Sequence, residues 1–143
     1  MIEDALRAQL LTLTAVTALT TTIRTDTLAQ QDALAGPAVL IDVGEEVPEN
    51  TLDGLGGLVE AKITISAVSS QRSQARALAE AIRTNGTTPG TGLAGFTGTT
   101  AGIFIDAAIL ESRHSGYIPE EDGSDSGLYS VDSHYLIQYT ETT

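Results

Sequence analysis

Apolar residues recur every three or four positions through "MIEDALRAQLLTLTAVTAL", so that Ile2, Leu6, Leu10, Leu13 and Thr17 share one stripe with Ala5 and Val16 beside it. That period predicts an amphipathic helix reaching Leu19. Glu3 and Asp4 fall in its first turn, where carboxylates meet the positive end of the helix dipole. The β-branched run Thr20–Thr22 is stiff at χ1 and ends it. "TIRTDT" then reads as a short extended piece, and "PAVLIDVG", Pro37 to Gly44, as a strand whose proline suits its first position. The polar, glycine-bearing "EEVPENTLDGLGG" reads as a connector.

The period changes inside "VEAKITISAVSSQRSQARALAEAIRTN", Val59 to Asn85. Val59, Ala61, Ile63, Ile65 and Ala67 alternate with Glu60, Lys62, Thr64 and Ser66, the pattern of a strand with one wet face. Ser69 or Ser70 can then cap a helix whose buried stripe is Ala75, Leu78, Ala79 and Ile82. Asn85-Gly86 supplies a left-handed stop.

Residues 86–102, "GTTPGTGLAGFTGTTAG", read as a flexible Gly/Thr loop without a regular element. "IFIDAAILE", Ile103 to Glu111, reads as a strand, and residues 115–127, "SGYIPEEDGSDSG", as an acidic loop. The last element, "LYSVDSHYLIQYTE", alternates again, with Tyr129, Val131, Ser133, Tyr135, Ile137 and Tyr139 on one face. These elements predict an α+β fold: a four- to five-stranded, largely antiparallel or mixed sheet with two helices packed on one face. The other face, carrying Glu60, Lys62, Thr64, Asp132, His134 and Gln138, is left for water or another subunit.

Length changes the picture little: 143 residues fit one domain, 1–143, able to bury roughly two thirds of its unfolded surface. Charge changes it more. Nineteen carboxylates face seven cations, a net −12, whereas wrapping nucleic acid needs clustered Lys and Arg. With no cysteine, disulfides, thiol catalysis and cysteine zinc sites are excluded, which fits a reducing compartment. No stretch has the 18 or so consecutive apolar residues of a membrane helix, and Glu3 and Asp4 stand where a signal peptide would be basic. We therefore expect no membrane association.

The chemical motifs weaken on inspection. Gly90, Gly92 and Gly95 spell G-x-G-x-x-G, but a dinucleotide fingerprint needs a strand before it and a helix starting within it, and Pro89 and "FTGTTAG" supply neither. Glu120, Glu121, Asp122 and Asp125 suggest calcium chemistry. Counting twelve from Asp122, however, ends on Ser133, where an EF-hand needs a bidentate Glu, so a solvated loop is preferred. His114 and His134 stand 20 residues apart without a nucleophile elbow, and surface histidines are the simpler reading over a hydrolase. No catalytic residue, cofactor or metal is assigned.

One charge pattern survives. Arg72, Arg76 and Arg83 share a face of the second helix. Such side chains can merely lay their stems over the core edge, or they can meet the acidic surface of a neighbouring copy, as a rotational ring requires. Phe96, among small residues, and the acids Glu120, Glu121, Asp122 and Asp125 complete the candidate subunit or partner interface.

The order of elements, with "EAKITISAVSSQRSQARALAEAI" at its centre and "YLIQY" in its last strand, resembles the minor tail or tail-completion family of long-tailed bacteriophages and gene transfer agents, related in architecture to tail terminators. The likeness is strongest from Leu58 to Ala81 and extends to Ile2–Leu19, Pro37–Val43 and the strand from Tyr129. The resemblance implies a structural virion protein and not an enzyme, made in the host cytoplasm. It would form a ring, usually hexameric, at the head-proximal end of the tail. There it would meet the tail tube protein and the head–tail connector or stopper, while DNA passes through without specific binding. A head-side connector is the alternative within the same class. The long Gly/Thr stretch and the acidic turn depart from the family pattern.

Overall fold

The computed structural model describes residues 2–20, 22–25, 37–51, 54–86, 92–118 and 128–140. Along the chain come α1 (Ile2–Thr12), α2 (Thr14–Thr17), β1 (Ile23–Arg24), β2 (Ala38–Thr51), β3 (Gly54–Ser69), α3 (Arg72–Thr84), β4 (Gly98–Thr100), β5 (Ile103–Ile118) and β6 (Leu128–Thr140). The strands form one mixed sheet in the order β1-β2-β3-β6-β5-β4. Only β1 and β2 pair in parallel; every other neighbouring pair is antiparallel.

The architecture is α+β as expected, with six strands and three helices among the described residues. The amphipathic N-terminal helix is broken at Leu13, which takes extended backbone and divides it into α1 and α2. The connector reading of "EEVPENTLDGLGG" is corrected: β2 runs to Thr51 and pairs with β3 up to Gly54. Bulges between Val43 and Glu45 and between Pro48 and Asn50 let the strand carry a glycine and a proline. The strand read as Ile103–Glu111 continues to Ile118, so the first residues of the supposed acidic loop are sheet. Residues 86–102 do hold a regular element, the three-residue β4, because Thr99 and Thr100 find ladder partners in Phe104 and Ile103.

The alternation in β3 and β6 is realised residue for residue. Ala67, Ile65, Ile63, Ala61 and Val59 lie opposite Val131, Ser133, Tyr135, Ile137 and Tyr139, and all ten are buried beneath the helices. α3 packs over β3 and β6, α1 over β2, and the sheet brings β4 against α1 as well. There Thr100 Oγ1 donates to the Ala5 carbonyl oxygen at 3.1 Å. On α3, Leu78 and Ile82 point into the core, each burial stabilising by about 1.5–3 kcal/mol. The cap of α3 is also corrected. Its N-cap is Gln71, and Ser69 acts two residues earlier: its Oγ accepts the Gln71 N–H at 3.2 Å and donates to Gln74 Oε1 at 2.7 Å. At the other end Asn85 takes the left-handed conformation, φ 52°, as the Asn-Gly pair predicts.

The Gly/Thr stretch is pinned down where it is described. Leu93 is fully buried and its N–H donates to the Ile82 carbonyl oxygen at 2.7 Å. Gly92 comes so close to α3 that an added Cβ would stand 2.3 Å from the Arg83 carbonyl oxygen. The first two glycines of the G-x-G-x-x-G pattern therefore have different standing: Gly90 lies outside the described residues, and Gly92 is needed for close approach to a helix end.

Candidate assembly interface

Four of the seven cations gather on α3 and the strand beside it. Arg72 and Arg76 stand exposed on α3, one turn apart, and no described residue partners them. Arg83 closes the same helix face but is engaged: its Nε donates to Glu80 Oε1 at 2.8 Å, and its Nη2 makes an ion pair with the same oxygen. Arg113 reaches up from β5 to Glu80 Oε2 at 3.0 Å and toward the Ala79 carbonyl oxygen at 3.4 Å. The hydrogen bond from Arg83, opposed by partial burial and reinforced by Arg113, holds the Glu80 carboxyl below its ordinary pKa.

Arg113 is on this side because the two bulges of β5, between Ile105 and Ala107 and between Leu110 and Ser112, cancel. Between Leu110 and Ser112 the register with β6 slips, so that Leu110 faces the helices opposite Tyr135 and Arg113 faces them again opposite Ser133. The first bulge alone would have pointed Arg113 away, and the second restores the parity it shares with Ile105. Arg76, Ala77, Glu80, Arg113, Ser115 and Val131 line a groove between α3 and the β5 margin.

At the β2 margin the charge is reversed. A second groove is lined by Glu3, Thr25, Asp42, Val43, Gly44 and Glu46, with three carboxylates and no cation among them. The bulge after Val43 again decides the arrangement: Asp42 faces the open side opposite Thr64, and Glu46 the helix side opposite Ala61. There Tyr139 donates its hydroxyl to Glu46 Oε1 at 3.3 Å.

The open sheet face carries Glu60, Lys62, Thr64, Asp132, His134 and Gln138 as the alternation predicts, with Asp42 beside Thr64. It also brings the two histidines together, their rings edge to face with centroids 5.8 Å apart. His134 Nδ1 lies 3.1 Å from Thr64 Oγ1 in hydrogen-bond contact. Sequence separation concealed this pair, since the β5 bulge is what puts His114 opposite Asp132. Neither histidine lines either groove. Among the described residues no three His, Asp or Glu side chains are placed to hold a metal ion, and no helix is long and apolar enough to cross a membrane.

Of the residues marked in the sequence, Arg72, Arg76 and Arg83 do share one helix face, and Phe96 stands half-buried against the core. Glu120, Glu121, Asp122 and Asp125 lie outside the described residues. Sequence reasoning missed Arg113 and the Glu3–Asp42–Glu46 margin. Both depend on contacts between distant elements, Arg113 with Glu80 of α3 and Glu3 of α1 with β2, which leave no period behind.

Residues 4–85 match the family described as tail completion protein gp17. No curated protein matches the sequence. Among solved structures, a chain in the virion of a native gene transfer agent particle aligns with a TM-score of 0.60 and 17% identity, over 96% of this chain and 96% of that one. At that identity the likeness is one of fold.

Proposed function

Because the chain belongs to the family of tail completion protein gp17, we propose that it assembles into a ring, taken as a hexamer, at the head-proximal end of a phage-like tail, ending the tube and joining it to the head connector. It is a structural virion protein and not an enzyme. The observation that supports this reading is the family match over residues 4–85, joined to a shared fold with a chain that is part of a gene transfer agent virion. The partners are further copies of itself, the tail tube protein and the connector or stopper.

The charge suits that position. Six copies would hold roughly 70 formal negative charges, and whatever share faces the lumen would repel phosphate and let DNA slide. An open sheet face rich in polar side chains fits a surface that meets water or a moving polyanion rather than a buried core.

Mass photometry of the purified protein, alone and with tail tube, tests the reading. A discrete ring-sized species that binds tube ends is expected, and virions assembled without the protein should yield tails that do not join filled heads. A strict monomer that neither binds tubes nor is required for joining would overturn it.

A further inference from the structure

We propose that neighbouring copies join front to back, the arginine side of one protomer (Arg72 and Arg76 on α3, beside Arg113 of β5) seating against the Glu3–Asp42–Glu46 margin of the next. This rests on the ring reading and specifies its joint.

Three features carry it. The first is segregation of charge. In a chain of net −12, four cations collect on α3 and β5, while the groove on the β2 side has three carboxylates and no cation. The other three cations lie on the β2 side without lining that groove: Arg7 donates to the Ile23 carbonyl oxygen at 2.9 Å beside Arg24 of β1, and Lys62 stands on β3 opposite Glu45. A two-fold joint built on one margin alone would set like against like, arginines near arginines or carboxylates near carboxylates, and such juxtaposition is penalised. Only a contact between the two different surfaces pairs the signs, and a contact of that kind closes into a ring when its rotation divides the circle.

The second feature is the strand margins. β1 covers only Val39 and Leu40 of β2, and β4 covers only Ile103 to Ile105 of β5. Beyond Ile41 on one margin and Ala108 on the other, whose carbonyl oxygen accepts the Gly95 N–H at 2.8 Å, no described strand lies outside the sheet. Unpaired backbone groups there call for cover. Both margins also carry bulges and charged residues, devices that block indiscriminate edge pairing and leave a contact selected by charge.

The third is direction. Successive antiparallel pairings make β2 and β5 run opposite ways. A copy carried round by rotation about an axis along the strands therefore brings its β2 antiparallel to the β5 it meets. The alternation of the sheet continues across the joint with no reversal.

Charge exchange tests the joint. Arg72→Glu with Arg76→Glu in one variant, and Asp42→Arg in another, alter exposed side chains that no described residue partners. Each alone should lower the ring fraction about tenfold or more while leaving the thermal midpoint unchanged. An equimolar mixture of the two should regain rings, because each altered surface finds its complement on the other variant, and so should one chain carrying all three changes. Where a reversal lowers the midpoint, the neutral pair Arg76→Gln and Asp42→Asn reads the same joint more gently, with a partial loss expected. Variants that form rings as the parent does, or a mixture that stays dispersed while the parent forms rings, would sink this joint and leave the ring standing. A parent that never assembles would sink the ring itself.

Discussion

Asn85 Oδ1 accepts the backbone N–H of Ala15 at 3.0 Å, across 70 positions of sequence. One residue thus ends α3 in the left-handed conformation, its own N–H returned to the Ala81 carbonyl oxygen at 2.8 Å, and satisfies a free donor in the first turn of α2. The short α2 has no side-chain cap of its own at Leu13. The N-terminal segment is therefore locked to the central helix by a cap supplied from far along the chain.

This double role separates two substitutions. Asn85→Gly keeps the left-handed backbone and loses the hydrogen bond, so a cost of about 1 kcal/mol is expected. Asn85→Ala loses both, and the left-handed strain adds about 1–2 kcal/mol more. Chemical denaturation of the three proteins measures the difference; equal stability of the glycine and alanine variants would mean that the backbone term is absent.

Tyr135 sits in the core with 1% of its surface exposed and its hydroxyl without a partner among the described residues. Burial pushes its pKa up to about 12, so the unfolded chain loses that proton well before the folded one. The folded state holds more protons between pH 10 and 12, and stability must fall as pH rises through that window, by about 2–3 kcal/mol at most. Tyr135→Phe should remove this alkaline slope and, at neutral pH, leave stability unchanged or raise it by up to about 1 kcal/mol. Urea midpoints of both proteins from pH 8 to 12 check the sign.

Glu80 joins Arg83 of its own helix to Arg113 of the sheet. Its lowered pKa means that the stabilisation is complete above the ordinary carboxylate range and fades as pH falls through the lowered value. The carboxylate side chain is 42% exposed, so screening limits the expected cost of Glu80→Gln to about 1 kcal/mol or less at pH 7. That cost should vanish in strong acid, where the parent carboxyl is protonated too.

Gly92 and Leu93, in the described part of the Gly/Thr stretch, are buried. Leu93→Ala should cost about 2–4 kcal/mol through lost burial and a cavity. Gly92→Ala should destabilise comparably, because the added methyl meets the backbone of Arg83, which cannot swing aside as a side chain could. Thermal midpoints close to the parent for both would return residues 92–96 to the status of a loose insertion.

Much of the fold was legible because its signals are local. The stripe of Ala75, Leu78, Ala79 and Ile82, the alternation in Val59–Ala67 and Tyr129–Tyr139, and the Asn85-Gly86 stop each state their own element, and each is found as read. The lengths of β2 and β5 were not legible. Their second halves, "EEVPENT" and "SRHSGYI", are polar or proline-bearing, and they stay in the sheet because a long neighbour offers partners. The same holds for β4, three residues that are strand only beside Ile103 to Ile105.

The sequence by itself determined the α+β class, the buried faces of β3, β6 and α3, the acidity, and the shared face of Arg72, Arg76 and Arg83, since periodicity and composition need no partner to be expressed. Tertiary structure alone decided which partners Arg113 and His114 meet, which carboxylates gather at the β2 margin, and where each long strand runs out of neighbours. The bulges after Val43, Ile105 and Leu110 each insert one residue into a two-residue repeat. Such a slip turns the following side chains to the other face until a second one, as in β5, turns them back, and only pairing with another strand reveals it.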